Sequence, residues 1–263
     1  DQLNADLFAE YEAYLKGRGN TPNTISFYMR ILKAVYNRAV EDGLTEQRHP
    51  FKSVYTGVEK TMKRALSLND IRRIKGLDLS LKPNLDYARD MFLFCFYTRG
   101  MSFIDMAYLR KKDLQNGTLS YRRRKTGRPL SVTLTPEAMI LVKKYMNRDP
   151  SSPYLFPLLK SREGTKEAYR EYQLALRSFN QQLMLLGELL GLSDKLSSYT
   201  ARHTWATTAY YCEIHPGIIS EAMGHSSITV TETYLKPFRN KKIDEANMQV
   251  LDFIKRSVVG VSA

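Results

Sequence analysis

The sequence predicts a mainly α protein with one small antiparallel β-sheet, an α+β architecture in two domains. Apolar residues recur at helical spacing over most of the chain, and alternation with period two is confined to one stretch near residues 119–134. A basic segment punctuated by Pro50 and Gly57 separates a short helical region from a longer one. With 263 residues, 43% of them hydrophobic and 25% charged, the chain can bury a core, and collagen-like, low-complexity and disulfide-scaffold classes are excluded.

The first helix carries Leu3, Leu7, Phe8, Tyr11, Tyr14 and Leu15 on one face until Gly17 and Gly19 end it. A second helix is capped by Thr21 with Pro22 at its first position, and Ile25, Tyr28, Leu32, Val35 and Ala39 form its apolar stripe up to Gly43. Residues 1–60 thus read as a small helical domain and 61–65 as a linker. Ser67 and Asp70 have capping-box spacing, so a second domain is expected over 66–263. Within it, Asp86 to Tyr97 reads as a buried helix, and Ser102 to Leu109 as a short one with Ser102 and Asp105 spaced as a second capping box. Asn116-Gly117 and Thr126-Gly127 are hairpin turn signals bounding strands at Leu119 to Arg124 and Leu130 to Leu134. Thr135-Pro136 opens another helix, and helical patterns follow from about Glu167 to Leu190, from Tyr199 to Tyr211, and in a tail from about residue 241.

Lys plus Arg is 40 against 27 Asp plus Glu, giving a net charge of +13, which favours a polyanionic partner, nucleic acid first. The excess is local: residues 61–130 hold 16 basic and 6 acidic side chains, whereas residues 1–60 hold 8 of each. Cys95 and Cys212 lie among aromatic residues and read as small buried apolar side chains, which fits a reducing, cytoplasmic setting. Neither a secretion signal nor a membrane span is visible. The chain opens on Asp1 rather than Met, which reads as a fragment of a longer protein. Cys212 and His215 have a loose C-x-x-H spacing without a second ligand pair, so no metal site is expected. Trp205 reads as a core anchor.

Four local features are informative together: Tyr199-Thr200-Ala201-Arg202-His203 on a helix, Met223-Gly224-His225, Thr231-Glu232-Thr233-Tyr234, and Arg124-Lys125-Thr126-Gly127 at a hairpin tip. Each alone has an ordinary structural explanation. Their order and spacing, with His225 23 residues after Arg202 and Tyr234 nine after His225, resemble the tyrosine recombinase (phage-type integrase) family, mobile-element integrases in particular. The resemblance covers about residues 66–260 as a catalytic domain and, more weakly, 1–60 as a helical core-binding, SAM-like domain. It implies that Tyr234 is the nucleophile, that Arg202 and His225 contact the scissile phosphate, and that Lys125 protonates the leaving oxygen.

Elementary chemistry agrees with those roles. Displacement at a phosphodiester builds charge on the non-bridging oxygens, which suits a guanidinium fixed on a helix. A phenol with a pKa near 10 needs a nearby cation or base, and His225 is able to provide either. A 5′-oxygen leaves poorly unless protonated, and a hairpin lysine can deliver the proton. A phosphotyrosine conserves the bond for religation, so no cofactor or metal is expected.

Two positions depart from the family pattern. The stretch T-G-x-R-x-x-E usually carries a first arginine; here Thr98-Arg99-Gly100-Met101-Ser102-Phe103-Ile104-Asp105 puts Ser102 at that position when Asp105 is aligned with the Glu. Arg99 is the nearest candidate, with Arg123 and Arg124 as others. Tyr199 stands where the H-x-x-R helix usually begins with His; a phenol still donates a hydrogen bond but is a weak base. Arg122, Arg123, Arg124 and Arg128 on the hairpin and Lys60, Lys63 and Arg64 in the linker are candidate phosphate contacts. The expected partners are double-stranded DNA attachment sites and, on DNA, further copies of the chain as a tetramer, with a monomer alone. The tail helix, with Ile243, Ala246, Val250, Leu251 and Ile254 on one face, either docks on a neighbour or packs on its own domain. Two other readings stay open: a site-specific DNA-binding protein that has lost catalysis, and a type IB topoisomerase-like enzyme that relaxes supercoils.

Overall fold

The computed structural model describes residues 3–59, 64–238 and 240–259, and it divides into two compact units, residues 1–62 and 63–263. In the first unit, α1 (Ala5–Gly17) is capped by Asn4 and α2 (Pro22–Glu41) by Thr21, whose hydroxyl accepts from the Thr24 amide. Their shared core is Phe8, Leu15, Ile25, Met29, Tyr36, Phe51 and Val54. The α2 stripe is therefore rotated from the expected one: Ile25 faces inward, but Val35 is 65% exposed and Tyr28 is exposed. On α1, Leu7 and Tyr14 are exposed as well, as is Leu3 ahead of it. The inward face is set by residues 25, 29, 32 and 36, because Met29 and Tyr36, rather than Tyr28 and Val35, share the core with Phe51.

The second unit is built around α4 (Pro83–Tyr97), which follows α3 (Leu68–Gly76) and the capping box of Ser67 with Asp70. Met91, Phe92, Phe94 and Cys95 make α4 apolar nearly all round, so it is enclosed by α6 (Pro136–Tyr145), α7 (Lys166–Leu189) and α8 (Thr200–Tyr211). Between α4 and α6 lie the short α5 (Phe103–Ala107) and a three-stranded antiparallel sheet, β1 (Leu114–Gln115), β2 (Thr118–Arg122) and β3 (Pro129–Thr133), in that spatial order. Leu119 pairs with Val132, and both point into the core, which fixes the register. Pairing ends at Arg122 with Pro129, so Arg123 and Arg124, expected in the strand, lie in the hairpin loop instead.

The chain then runs through α9 (Pro216–Ala222), α10 (Ile228–Glu232) and α11 (Asn240–Val259). Ala206, Ala209, Ile219, Met223 and Tyr234 form a second apolar cluster, with Trp205 half-buried against it. Cys95 is buried as expected, but Cys212 is exposed because it follows the last turn of α8. No helix among the described residues is long and apolar enough to cross a membrane.

Candidate active site

Arg202 lies in the first turn of α8 and is 2% exposed. Its Nη1 donates to the Gly100 carbonyl at 2.6 Å, and its Nη2 donates to the Met223 carbonyl at 2.7 Å and to His225 Nε2 at 2.9 Å. Of the five N–H groups on a guanidinium, that leaves two, one of them a buried Nε–H with no acceptor. Gly100 permits the close approach. Its φ is +68°, and a Cβ there would lie 2.9 Å from the Arg202 Cα.

His225 is fully buried in the turn that ends α9. The Gly224 amide bonds the Glu221 carbonyl and the His225 amide bonds the Ser220 carbonyl, a Schellman closure whose left-handed residue is Gly224 at φ +63°. Because a guanidinium only donates, His225 Nε2 is the acceptor from Arg202, and Nδ1 carries the proton toward Thr231 Oγ1 at 2.8 Å. Burial, then the charges of Arg202, Arg123 and Lys125, push the imidazole down to about 3. His225 is therefore neutral near pH 7 in the free protein.

Tyr234 follows α10, its amide bonded to the Thr231 carbonyl and its own carbonyl accepting from Thr207 Oγ1 at 3.1 Å. The residue is 6% exposed, and its ring stacks near His225, 4.9 Å between centroids, and lies tilted beside His203, 4.7 Å away. Its hydroxyl lies 2.9 Å from the Tyr199 hydroxyl. Burial, and next the Tyr199 hydroxyl, raise the phenol above its ordinary value, while Arg202 opposes them. Tyr234 thus rests as a neutral phenol.

The hairpin brings a second guanidinium to this cluster. Arg123 is 4% exposed, its Nη1 donates to the Gly224 carbonyl at 2.5 Å, and its buried Nε–H has no acceptor. Its charge acts on both Arg202 and His225, so burial and then Arg123 push the Arg202 guanidinium below its ordinary value. An unpaired buried donor is costly, and two of them on neighbouring arginines suit an anionic ligand. Arg123, a candidate phosphate contact of the basic run, is thus buried rather than exposed. The Arg124 to Thr126 turn leaves Lys125 exposed at the tip.

The remaining candidates fall outside this cluster or at its edge. Arg99, at φ +61°, donates to the Ser131 carbonyl of β3 at 3.1 Å and makes no hydrogen bond to Arg202, His225 or Tyr234 among the described residues. Ser102 is the N-cap of α5, with its hydroxyl on Asp105 Oδ2 at 2.6 Å, and Asp105 Oδ1 accepts the Arg124 amide at 2.8 Å. Arg124 pairs with Glu163, which also pairs with Arg110, and stacks 3.8 Å over the Tyr108 ring. Arg122 is exposed and donates to the Gly127 carbonyl at 3.1 Å, Arg128 donates to the His225 carbonyl at 2.5 Å, and Arg64 is exposed. Lys60 and Lys63 lie outside the described residues. Among the described residues, no group of three or more His, Cys, Asp or Glu is arranged to hold a metal. The sequence reading gave no role to Thr231, Thr207 or His203; Thr231 carries the one available signal, a hydroxyl six residues after His225 and three before Tyr234.

Residues 64–241 match the phage integrase family and residues 1–55 match its SAM-like domain. Tyrosine recombinase XerA of Pyrococcus furiosus is 25% identical over 228 residues, 85% of this chain and 73% of that one. XerC of Syntrophus aciditrophicus is 25% identical over 199 residues, 72% of this chain and 61% of its own. Among solved structures, the Tn1549 transposon integrase in complex with a circular intermediate DNA superposes with a TM-score of 0.67 at 18% identity, covering 95% of this chain and 86% of that one. A lambda integrase dimer bound to a COC′ core site gives 0.65 at 15% identity, covering 88% and 79%. The family match spans most of the chain and contains every side chain of the cluster, and on that ground the protein belongs to the phage integrase family.

Proposed function

We propose that this protein is a site-specific DNA recombinase of integrase type, cutting and rejoining strands through a 3′-phosphotyrosine. The observation that carries the reading is the convergence of the Tyr234 phenol, neutral His225 and two buried arginines with unpaired Nε–H groups, Arg202 and Arg123. The Tyr234 phenol loses its proton toward Tyr199 and solvent, and its oxygen attacks the phosphorus. The charge that gathers on the non-bridging oxygens meets the free N–H groups of Arg202 and Arg123. The P–O5′ bond breaks, and the departing oxygen takes a proton from the Lys125 ammonium. A 5′-hydroxyl of another strand reverses the sequence. The Tyr234 proton passes by way of Tyr199 to water, Lys125 supplies the proton of the leaving oxygen and the arginines meet the charge, so the chemistry calls for no metal or nucleotide.

Arg123 takes the part that the family gives to its first arginine, since Ser102 is engaged in capping and Arg99 is bonded to β3. A buried second guanidinium weighs against a protein that only binds. The Tn1549 integrase structure holds a circular intermediate DNA and the lambda integrase structure a COC′ core site, which supports a duplex attachment site as substrate here; the absence of a membrane-spanning helix among the described residues is compatible with the cytoplasmic place of action we propose. Ile243, Val250, Leu251 and Phe253 of α11 are exposed, which favours a tail docked on a neighbouring copy over one packed on its own domain, and with it a tetramer on DNA.

Nicked duplexes carrying the sequences that flank the gene's own element test this directly. Wild type is expected to give a covalent adduct under denaturing conditions that survives chelator, and Tyr234→Phe none. Arg123→Ala should lose at least a hundredfold in adduct rate, whereas Arg99→Ala should stay within about threefold of wild type. An adduct that persists in Tyr234→Phe overturns the assignment, and relaxation of supercoiled plasmids lacking the site would move the reading to a topoisomerase.

A further inference from the structure

The loop of the β2–β3 hairpin is fastened to the turn that presents His225. Thr126 Oγ1 donates to the Gly224 carbonyl at 3.1 Å, alongside Arg123, and Arg128 Nη1 donates to the His225 carbonyl at 2.5 Å. Lys125 lies between Arg123 and Thr126, directly before Thr126 and three residues before Arg128. Its own side chain is exposed, so the position of its ammonium is set by where the loop backbone is held. Inside the loop, the Arg123 amide bonds the Arg128 carbonyl and the Gly127 amide bonds the Arg123 carbonyl, both at 2.8 Å. Those bonds give the loop its shape but do not tie it to the catalytic turn. Among the described residues, side chains do that.

We propose that Thr126 and Arg128 are positioning residues for Lys125, bolting the loop to the Gly224 and His225 carbonyls so that the ammonium meets the departing 5′-oxygen. The proposal rests on the reading of Lys125 as the proton donor. It also reassigns Arg128, which the basic run suggests as a phosphate contact, to an internal bond. A misplacement of about 1 Å is enough to cost up to about a hundredfold in rate. The loss falls on one step, transfer of a proton from Lys125 to O5′ as the P–O5′ bond breaks and Tyr234 Oη bonds to phosphorus.

That selectivity makes the idea testable with a nicked attachment-site duplex in which sulfur replaces the bridging 5′-oxygen. A thiol is far more acidic than an alcohol, with a pKa near 8.5 for a cysteine side chain, so a thiolate departs without a donated proton. In single-turnover cleavage, the double variant Thr126→Val with Arg128→Met is expected to be about tenfold to a hundredfold slower than wild type on the oxygen substrate. On the sulfur substrate it should come within about threefold of wild type. Thr126→Ser alone, which keeps the donor, should cleave both at close to the wild-type rate, and it guards against misfolding of the double variant. Equal losses on both substrates, or a salt slope of DNA binding lowered by about one in Arg128→Met, would overturn the positioning role. Lys125→Ala is the separate control. If sulfur fails to rescue it, the proton-donor reading itself falls; if sulfur rescues it but not the double variant, only the positioning role does.

Discussion

His225 is held neutral by what surrounds it, and that has a consequence for stability. Its pKa drops from 6.5 to about 3 because the ring is buried and because Arg202, Arg123 and Lys125 face it. The unfolded chain therefore binds a proton at this residue below pH 6.5 that the folded chain does not, and stability falls as pH is lowered through that window. The contribution is fully present above pH 6.5, and each unit below removes about 1.4 kcal/mol, or about 2–4 °C of Tm per kcal/mol for a unit of this size. Thermal melts between pH 7 and about 4.5, above the ordinary carboxylate range, should show wild type losing Tm more steeply than His225→Gln. Parallel slopes would show that the imidazole is protonated in the folded state, and the Nε2 acceptor assignment would be wrong.

Within the α9–α10 segment, one residue ties the His225 ring to the backbone of Tyr234. Thr231 accepts from His225 Nδ1 and, through its carbonyl, from the Tyr234 amide, so it fixes the imidazole tautomer and the base of the nucleophile together. Thr231→Val keeps the shape and the backbone bond but leaves Nδ1–H buried without an acceptor, at a cost of about 1–3 kcal/mol. The expected result is a Tm lower by several degrees and adduct formation at least tenfold slower, with Thr231→Ser restoring most of both; a Val variant as fast as wild type would remove Thr231 from the site. Such links show what was legible beforehand. Helix starts at Thr21, Ser67, Ser102 and Thr135 could be read because a cap is a local pairing of side chain and backbone. The spacing of Arg202, His225 and Tyr234 was legible because it recurs in a family. The inward place of Arg123 was not: nothing in Arg-Arg-Arg-Lys says which arginine a β-turn rotates toward a carbonyl more than 100 residues later in the chain. Nor was the α2 face, since two apolar stripes competed and Phe51, from outside the helix, chose between them.

Across the whole molecule, net charge overstates what is free to meet DNA. Of the 16 basic side chains in residues 61–130, several are already engaged inside the protein. Arg89 pairs with Asp86 and Asp90, Arg110 and Arg124 share Glu163, and Arg123 is buried. Each phosphate neutralised by a free cation adds about 0.9 to the slope of log K against log salt, whereas a cation that keeps its carboxylate partner releases little. Arg122 is exposed and, among the described residues, bonded to a carbonyl alone, so Arg122→Ala should lower the slope by about one. Arg124→Ala should change it much less, although the two residues are neighbours once removed in the same basic run. Glu163→Gln releases two guanidinium groups at once and should raise the slope by one to two, about one for each arginine freed. Fluorescence anisotropy with an attachment-site duplex across a salt series reads all three. A slope that falls equally for Arg122→Ala and Arg124→Ala would mean that DNA displaces Glu163 from Arg124 on binding, and the pairing seen in the free protein would then be a contact exchanged for phosphate rather than one that is kept.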